Sequence, residues 1–469
     1  MKKKILITCA ILLVLIIAAR LYRQIAKAQL LVKPYLQLGS DGLKVLWHTT
    51  DWDETWSLEI TGEHPFKSSV VYPEMRRVKV PTIAAHRVYC AALPRLIAGQ
   101  RIDYRLLKGQ SSVFNASTLA PKSTREPYRF VVFGDCGAGT SSQLAVAYQT
   151  YLAKPDFVFI TGDIVYSSGR ISQYRQQFFP IYNADQASPT VGAPLLRSTL
   201  FVAAPGNHDI LERDLGRYPD GLAYFLYWAQ PLNGPLETVG SPNSPTLEGA
   251  KKNWTPFLEA AGKNYPRMAN FSFDYGNAHW IVLDSNPYVN WTDPSLRAWI
   301  SKDLTSTKSA TWRFVGFHHP GFSSAKVHFN DQWMRVLSDV FEQGAVDIVF
   351  AGHVHNYQRS FPLRFRTNPG TEKLISDLGR VDGTWTLDRS FDGKAKTKPE
   401  GVIYLVTGAG GAGLYNPEQQ SVPSSWQGFT ARYYAEKHSL TVVDVNDRML
   451  SVRQVSEDGN EVDRFTLTK

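Results

Sequence analysis

The chain has 469 residues, of which 43% are hydrophobic, 12% aromatic and 20% charged, and its formal net charge is +9. This composition supplies enough apolar side chains for one or two large cores, so it excludes a disordered chain, a collagen and a coiled coil. The three cysteines, Cys9, Cys90 and Cys136, are too few and too widely spaced for a disulfide framework or a Cys-x-x-Cys metal clip. Any metal must therefore be bound by His, Asp, Asn or Tyr side chains.

The amino terminus has the pattern of a targeting or anchoring segment. Three lysines at positions 2–4 precede residues 5–19, in which Thr8 is the only polar residue, and Arg20 and Arg23 follow. A helix of this length reaches about 22 Å, less than the ~30 Å of a hydrocarbon core, although flanking Lys and Arg side chains lengthen the span. A cleaved signal peptide and a short membrane anchor both fit, and a buried soluble helix is the third interpretation. Either of the first two exports the protein, which is then secreted or attached to the membrane through residues 5–19.

Most of the positive charge lies in this segment. Residues 1–28 contain six basic residues and no acidic one, so residues 29–469 have 45 basic and 42 acidic residues, a net charge of +3. Binding to nucleic acid needs a basic patch, and the body of the chain is nearly balanced in charge. We therefore expect no nucleic acid as a structural partner.

Between residues 30 and 120, apolar and polar residues alternate in short runs separated by Gly, Pro and Asp. Four of these runs are residues 45–49, 56–60, 88–92 and 102–106. This period of two predicts a small antiparallel β-sandwich. The histidines of this region, His48, His64 and His86, are isolated, so we interpret them as core or surface residues and not as ligands.

From residue 128 onward, short apolar runs end in Gly and polar residues, with helical stretches between them. Residues 130–133, 157–160, 200–204, 314–317 and 346–351 are followed by GD, TGDIVY, PGNHD, HHP and GHVH, respectively. Open α/β sheets place their functional sites at the carboxyl ends of the strands. We therefore expect the Asp, Tyr, Asn and His side chains of these five motifs to converge.

The residue types of the five motifs suit a pair of metal ions. Two ions about 3.5 to 4 Å apart need one bridging ligand and further oxygen or nitrogen ligands on each side, which Asp, Asn and His provide. Each motif alone is common as a turn or a packing contact. However, five of the 11 histidines fall between His318 and His355, downstream of the acidic motifs. The ordered set therefore predicts a site with two metals.

This ordered set resembles the calcineurin-like metallophosphoesterases, over essentially residues 128–467. Most members of that superfamily have His two residues after the first Asp, but here that position is Gly137, and Tyr166 follows the second Asp by three residues. In having Gly137 and Tyr166 at these two positions, the chain resembles the purple acid phosphatases. The sequence GHVHNYQR at residues 352–359 is also similar to a motif of that family. Residues 30–120, with KPYLQ and VLW, resemble the amino-terminal fibronectin-type domain of that family.

The resemblance implies a fold and a domain order. The expected fold is an α/β metallophosphoesterase sandwich, with two mixed sheets flanked by helices, preceded by an all-β fibronectin type III-like domain. The expected boundaries are 1–28 for the signal peptide or membrane anchor, 29–125 for the fibronectin-like domain and 126–469 for the catalytic domain.

The resemblance also implies two metals and their ligands. A ferric ion removes the proton of a tyrosine far better than a divalent ion does, so the first site is expected to hold Fe³⁺. Its ligands are Asp135, Tyr166 and His355, while Asp163 bridges to a second ion (Fe²⁺, Zn²⁺ or Mn²⁺) held by Asn207, His318 and His353. His318 is preferred to His319 because the ligand of the family lies two residues before a proline, here Pro320.

The implied activity is that of an acid phosphatase that hydrolyses phosphate monoesters by attack of a metal-bound hydroxide. His208, next to Asn207, is the candidate for donating a proton to the leaving group, and His328 is either a substrate-facing histidine or a loop residue. The alternative within the enzymes is a phosphodiesterase or pyrophosphatase that uses the same two metals. A surface binding protein with a vestigial metal domain is the alternative of another class, but every ligand position is filled, which favours the enzyme.

Two features lie beyond these motifs. The glycine-rich residues 407–413 follow a strand-like run, and we interpret them as a tight turn of the phosphatase core and not as a dinucleotide-binding loop. The alternating residues 439–445 predict an edge strand of that core.

Overall fold

The computed structural model describes residues 28–61, 69–94, 97–124, 126–307, 309–370 and 379–469. The predicted signal or anchor at residues 5–19 and His64 lie outside the described residues. Among the helices of the described part, none is both long and apolar enough to cross a membrane.

The first part of the described chain is all-β, as the sequence predicted. Its strands are β1 (Leu30–Gly39), β2 (Gly42–Thr50), β3 (Trp56–Thr61), β4 (Ser69–Val71), β5 (Glu74–Val78), β6 (His86–Ala92), β7 (Arg101–Lys108) and β8 (Ser111–Leu119). They form two four-stranded antiparallel sheets, in the orders β1-β2-β6-β5 and β4-β3-β7-β8. Tyr89 of the first sheet stacks on Trp47 with 5.3 Å between ring centroids and contacts Trp56 of the second sheet. The four predicted strand runs are confirmed.

The rest of the chain mixes strands and short helices. Its strands are β9 (Tyr128–Phe133), β10 (Phe157–Ile160), β11 (Asn183–Ser188), β12 (Gly192–Pro194), β13 (Leu200–Ala203), β14 (Phe271–Tyr275), β15 (Ala278–Val282), β16 (Trp312–Gly316), β17 (Ile348–Ala351), β18 (Tyr357–Ser360), β19 (Leu363–Thr367), β20 (Gly383–Leu387), β21 (Ile403–Thr407), β22 (Thr430–Tyr434), β23 (Ser439–Asn446), β24 (Met449–Ser456) and β25 (Glu461–Thr468). They form a six-stranded sheet (β13-β10-β9-β23-β24-β25), a seven-stranded sheet (β14-β15-β16-β17-β21-β18-β22) and the ribbons β11-β12 and β19-β20.

The helices connect these strands. They are α1 (Ser141–Ala153), α2 (Ile171–Gln173), α3 (Phe179–Tyr182), α4 (Asn207–Ile210), α5 (Tyr224–Tyr227), α6 (Lys251–Ala261), α7 (Pro294–Ser306) and α8 (Ser338–Gln343). A π-helical turn covers Tyr174–Phe178, and 3₁₀ turns cover Gly262–Asn264, Arg267–Ala269, Trp333–Leu337, Pro417–Gln419 and Pro423–Ser425. The start of α7 is fixed by its sequence, because the Asp293 carboxylate accepts the backbone N–H of Ser295 at 2.7 Å and Pro294 occupies the first helical position.

The two large sheets face each other across a layer of aromatic side chains. Phe130 of the six-stranded sheet lies 5.1 Å from Trp280 and 5.5 Å from Phe314 of the seven-stranded sheet, measured between ring centroids. These side chains are fully buried. The architecture is therefore the predicted sandwich of two mixed sheets.

Parallel pairing aligns the carboxyl ends of the strands that precede the motifs. In the six-stranded sheet, Ile160 pairs with Phe133 on one side and with Ala203 on the other. In the seven-stranded sheet, Gly316 pairs with Phe350. The loops that carry the five motifs consequently leave the two sheets at the same end of the sandwich.

The prediction of an edge strand at residues 439–445 is wrong. These residues form β23, which pairs with β9 on one side and with β24 on the other, so the strand lies inside the six-stranded sheet. Val443 and Val445 pack in the layer between the two large sheets. Leu440 and Val442 pack in a separate core cluster on the other face of the six-stranded sheet. A strand near the end of the sequence is thus central, because β24 and β25 continue the sheet beyond it.

Strand β1 joins the all-β part to the rest of the chain. The backbone N–H of Leu36 donates to the carbonyl of Leu196 at 2.9 Å, and the Tyr35 hydroxyl donates to the carbonyl of Tyr227 at 2.7 Å. Both members of the second pair are fully buried. The two parts therefore share a packed and hydrogen-bonded interface.

Candidate metal centre

The predicted ligands lie directly after the strands that the sequence identified. Asp135 follows β9, Asp163 follows β10 and Asn207 follows β13, while His318 and His353 follow β16 and β17. Asp135, Asp163 and His353 have positive φ angles of 57°, 49° and 66°. The left-handed region is uncommon for residues with a Cβ atom and persists where the surrounding structure fixes it, as at functional sites.

One cluster contains the three ligands predicted for the first metal. The Tyr166 hydroxyl lies 3.1 Å from Asp135 Oδ1 and 3.1 Å from His355 Nε2. The same His355 nitrogen is 3.4 Å from Asp135 Oδ1. Asp135 and His355 are buried, and Tyr166 is half-buried.

A second cluster contains the ligands predicted for the other metal. His318 Nε2 lies 2.9 Å from Asn207 Oδ1, 3.4 Å from Asp163 Oδ1 and 3.2 Å from His353 Nδ1. It is also 4.0 Å from Asp135 Oδ1, which links the two clusters. All seven predicted ligands are thus brought together.

The hydrogen bonds of the imidazoles show which nitrogens face the centre. Nδ1 of His318 donates to the carbonyl of Thr161 at 2.9 Å, and Nδ1 of His355 donates to the carbonyl of Gly413 at 2.7 Å. In a neutral imidazole held this way, Nε2 carries a lone pair and no proton. Lone pairs of imidazole, carboxylate and amide oxygen atoms therefore point at one another over 2.9 to 4.0 Å. This donor set fits metal cations.

The buried carboxylates make the centre electrostatically negative. Burial alone lowers the pKa of His318, but the charges of Asp163 and Asp135 outweigh it and raise this pKa to about 9. Burial and the Asp135 carboxylate hold the pKa of Tyr166 well above its usual value. A bound cation relieves both effects, because it neutralises the carboxylates and favours the phenolate.

Gly137, two residues after Asp135, lies where the backbone leaves no room for a side chain. A Cβ atom at Gly137 would lie 2.0 Å from the carbonyl oxygen of Ile164, so no side chain fits there without moving the backbone. The position where most members of the superfamily have a histidine is thus closed. Tyr166 reaches the same cluster from the neighbouring loop.

The two predicted substrate histidines lie beside the centre. His208 Nδ1 donates to the carbonyl of Ser167 at 2.7 Å, its Nε2 is 3.9 Å from Asp163 Oδ2, and its side chain is 36% exposed. His328 is half-buried, and its ring lies 4.0 Å from that of His353. Both side chains therefore lie beside the candidate centre. The proton-donor role of His208, and whether His328 is a substrate-facing histidine or a loop residue, remain predictions.

Three residues that the sequence did not single out also contact the ligands. Asp331 binds His353 and His328 through one carboxylate oxygen. The Tyr415 ring stacks on His355 with 4.0 Å between centroids and 10° between planes. Ser285 Oγ accepts the backbone N–H groups of His318 and His319.

The sequence held a signal for two of these three. Asp331 follows His328 by three residues, and Tyr415 follows the glycine-rich turn after β21. That turn passes so close to the centre that a Cβ at Gly408 would lie 2.6 Å from Asp135 Oδ2. Ser285 gave no comparable signal, because a serine after a strand is common in loops.

His319, whose role the sequence left open, packs behind the ligands. Its Nδ1 lies 2.9 Å from Ser285 Oγ, and its ring is 4.3 Å from that of His353. Burial and the neighbouring histidines hold its pKa well below the usual value, so it is neutral. His318, and not His319, is the one whose nitrogen faces Asn207 and Asp163.

Comparison with known proteins shows what this chain is similar to. A model of the calcineurin-like phosphoesterases matches residues 128–357. The chain is 27% identical over 246 residues to Purple acid phosphatase 23 of Arabidopsis thaliana, covering 51% of this chain and 49% of that protein. It is 26% identical over 412 residues to an uncharacterized protein of Mycobacterium tuberculosis, covering 80% of this chain and 69% of that one. The aligned part thus spans about half the length of the first of these relatives.

The fold has a similar solved structure. A purple acid phosphatase isolated from yellow lupin (Lupinus luteus) seeds superposes with a TM-score of 0.62 at 17% identity, covering 93% of this chain and 74% of that one. At this identity the likeness concerns the fold alone. It confirms the predicted fold class, in which an all-β part precedes a metallophosphoesterase sandwich.

Proposed function

We propose that this chain, which matches the calcineurin-like phosphoesterases over residues 128–357 and is similar to purple acid phosphatases, is a dimetal acid phosphatase acting on phosphate monoesters. Phosphoester hydrolysis follows from the family. The preference for monoesters, the acidic working range and the export of the protein are part of the proposal. So is membrane attachment through residues 5–19, if the segment is retained.

The observation that carries the proposal is the convergence of seven oxygen and nitrogen donors in two overlapping clusters. Asp135, Tyr166 and His355 would hold a ferric ion, and Asn207, His318 and His353 would hold Fe²⁺, Zn²⁺ or Mn²⁺. Asp163 contacts His318 of the second cluster and also interacts with Tyr166 of the first, so its carboxylate would bridge the ions. When bound, such a pair lowers the pKa of a water molecule, which supplies the nucleophile, and neutralises the phosphoryl oxygens.

The side chains of the chain itself contribute orientation and proton transfer. Nδ1 of His208 donates to the Ser167 carbonyl, so its Nε2 carries a proton only in the imidazolium form of the side chain. In that form, the Nε2 proton can be donated to the leaving oxygen of the ester. The Tyr166 ring, 4.6 Å from the His208 ring between centroids, supports this orientation. His208 is therefore proposed as the general acid.

The proposal is tested by metal analysis, a visible spectrum and hydrolysis assays on the purified full chain. We expect iron and a second metal, a visible band that disappears in Tyr166→Phe, and faster hydrolysis of para-nitrophenyl phosphate than of its bis ester. A colourless protein with two bound metals would refute the ferric tyrosinate assignment. Faster hydrolysis of the bis ester would make the chain a phosphodiesterase, and a metal-loaded chain without hydrolysis would make it a binding protein.

A further inference from the structure

We propose that Asp331 is a positioning residue that fixes two histidines at once, His353 as a ligand of the second metal and His328 as a substrate-facing group. This inference rests on the proposed function and deepens it. It assigns a role to a loop carboxylate that lies outside the five motifs.

The geometry centres on one carboxylate oxygen. Asp331 Oδ2 lies 3.0 Å from His353 Nε2 and 3.0 Å from His328 Nδ1. Two N–H groups therefore converge on a single anionic acceptor, which makes both hydrogen bonds charge-assisted. The carboxylate is only 28% exposed, so water competes weakly for it.

The first consequence concerns the tautomer of His353. Because its Nε2 carries the proton that Asp331 accepts, its Nδ1 carries the lone pair, and this atom lies 3.2 Å from His318 Nε2 in the second cluster. His318 and His355 have the opposite arrangement, with Nδ1 donating to backbone carbonyls. His353 is thus the histidine ligand whose outer nitrogen is held by a charged side chain. A carboxylate in that place orients the ring and raises its basicity as a ligand.

The second consequence concerns His328. Its backbone has a φ of 60°, and its ring lies 4.0 Å from the ring of His353. With Nδ1 bonded to Asp331, the remaining nitrogen, Nε2, is left for another partner. The hydrogen bond to Asp331 thus restricts the rotamers of this loop histidine and holds its ring beside the candidate metal ligands.

The loop that carries Asp331 is itself anchored on both sides. The backbone N–H of Val327 donates to Asn416 Oδ1 at 3.0 Å, and that of Gln332 donates to the carbonyl of Gly379 at 3.0 Å. The backbone N–H of Asp331 closes a turn on the carbonyl of His328 at 3.1 Å. The carboxylate is therefore placed by the fold before any metal or substrate binds, as pre-organisation requires.

The proposal makes the two metal sites respond differently to one substitution. Loss of Asp331 releases His353 and weakens the second site. The first site keeps its ligands, because His355 is held by the Gly413 carbonyl and stacked on Tyr415.

The chain offers a closely matched control. Asp303 Oδ2 lies 3.0 Å from Nε2 of the buried His279, and the Asp303 side chain is 23% exposed. This pair reproduces the carboxylate–imidazole contact outside the candidate centre. Asp303→Ala therefore measures the structural cost of removing such a carboxylate.

The experiment compares the full chain with Asp331→Asn, Asp331→Ala and Asp303→Ala. The dissociation constant of Zn²⁺ at the second site is measured by competition with a chromophoric chelator, and iron content and thermal unfolding are measured in parallel. We expect Asp331→Ala to weaken Zn²⁺ binding by about 10- to 100-fold without loss of iron. The Zn²⁺ affinity of Asp331→Asn should lie between those of Asp331→Ala and the unmodified chain, because an amide oxygen still accepts a hydrogen bond. Asp303→Ala should bind Zn²⁺ as tightly as the unmodified chain does.

A kinetic measurement separates positioning from a merely structural role. At saturating Zn²⁺, His328→Asn should raise KM for para-nitrophenyl phosphate and leave Zn²⁺ affinity unchanged, whereas Asp331→Ala should alter both. Equal Zn²⁺ affinity of Asp331→Ala and the unmodified chain would overturn the inference and leave the proposed function intact. An unmodified chain that binds no second ion would overturn both. The isosteric Asp331→Asn variant keeps the test decisive if Asp331→Ala does not fold.

Discussion

The buried histidines between the all-β part and the rest of the chain have different partners from those of the candidate metal centre. His48 and His86, the interdomain histidines, are fully buried where the all-β part meets the rest of the chain. Nε2 of His48 lies 2.8 Å from the Tyr35 hydroxyl, and Nε2 of His86 lies 2.8 Å from the Tyr227 hydroxyl. The histidines of the candidate centre instead face carboxylates.

The partners decide the charge of the imidazole. Burial and the nearby Arg175 lower the pKa of His86 to about 4, so this ring is neutral and acts as a hydrogen-bonding part of the core. At the centre, the carboxylates outweigh burial and raise the pKa of His318 to about 9. Burial of a histidine is therefore no sign of function by itself, whereas a buried imidazole beside two fully buried carboxylates, as His318 is, indicates a candidate cation site. The sequence-based interpretation of His48 and His86 as core residues agrees with this contrast.

The largest expected effect comes from removing the charge that distinguishes the centre. Asp163→Asn keeps the shape of the side chain but eliminates the carboxylate that is proposed to bridge the two metals, and the residue is 1% exposed. We expect loss of at least one metal per chain and a decrease of kcat/KM by about 10³-fold. Metal analysis and phosphatase assays measure these effects. Full activity of the variant would refute the bridging role.

A substitution among the interdomain histidines is the counterpart. His48→Gln removes an imidazole of similar burial, and we expect unchanged metal content and unchanged kcat/KM per metal-loaded molecule. A loss of metal in this variant would break the contrast between the two groups.

Acid should destabilise the interface through His86. The pKa of His86 is about 4 in the folded chain and about 6.5 in an unfolded one, so the unfolded state binds the proton more tightly. The free energy of unfolding should therefore fall as the pH decreases from about 6.5 to about 4, by about 3 kcal/mol from this residue. Denaturant unfolding at several pH values, compared between the unmodified chain and His86→Gln, measures this slope. An equal slope in both proteins would contradict the expectation.

For His279, the free energy of unfolding should depend on pH in the opposite direction, because the partners of this imidazole are carboxylates. Burial lowers its pKa, but the carboxylates of Asp274 and Asp303 raise it to about 9. The stabilisation is complete below about pH 6.5 and is lost as the pH rises through about 9. Because Asp274 is exposed, we expect about 2 kcal/mol and not the full value of the shift. His279→Gln should remove this loss between pH 6.5 and 9, as measured by denaturant unfolding, while leaving the acid side unchanged.

The smallest expected effect concerns one hydroxyl. Tyr227→Phe leaves Nε2 of the buried His86 without its partner, which should lower the free energy of unfolding by about 1 to 2 kcal/mol. Activity per metal-loaded molecule should not change. Tyr72→Phe is the control, because the Tyr72 side chain is 73% exposed. A loss of stability no greater than in the control would show that water replaces the missing hydroxyl.

Much of the fold could be predicted because the strands of this chain carry clear patterns. The alternating residues 45–49 and 102–106 lie in β2 and β7, and the apolar residues 157–160 form β10. The wrong assignment of residues 439–445 to an edge has a physical reason. Periodicity indicates which faces of a strand are buried, but not which strands pair with it.

The candidate site was predicted in the same way and with the same limit. Six of its seven candidate ligands follow the buried strands by two to four residues, and Tyr166 follows β10 by six, so their order in the sequence reflects the order of the strand ends. Asp331, Tyr415 and Ser285 were missed because each contacts the ligands from a loop whose path no periodic pattern describes. The expected domain boundaries at 28 and 125 remain predictions.

The sequence by itself determined which donor side chains the candidate centre contains, namely the seven donors, their spacing and the presence of Tyr166 together with Gly137. Only the tertiary structure decided which donors meet and which nitrogen of each imidazole faces the centre. The reason is that a tautomer depends on the partner of the opposite nitrogen. The partner is Thr161 for His318, Gly413 for His355 and Asp331 for His353. These partners lie on separate loops, and those of His318 and His355 are far from their histidines in sequence. Such contacts arise when the strand ends of two facing sheets are brought to one end of the sandwich, and this happens only in the folded chain.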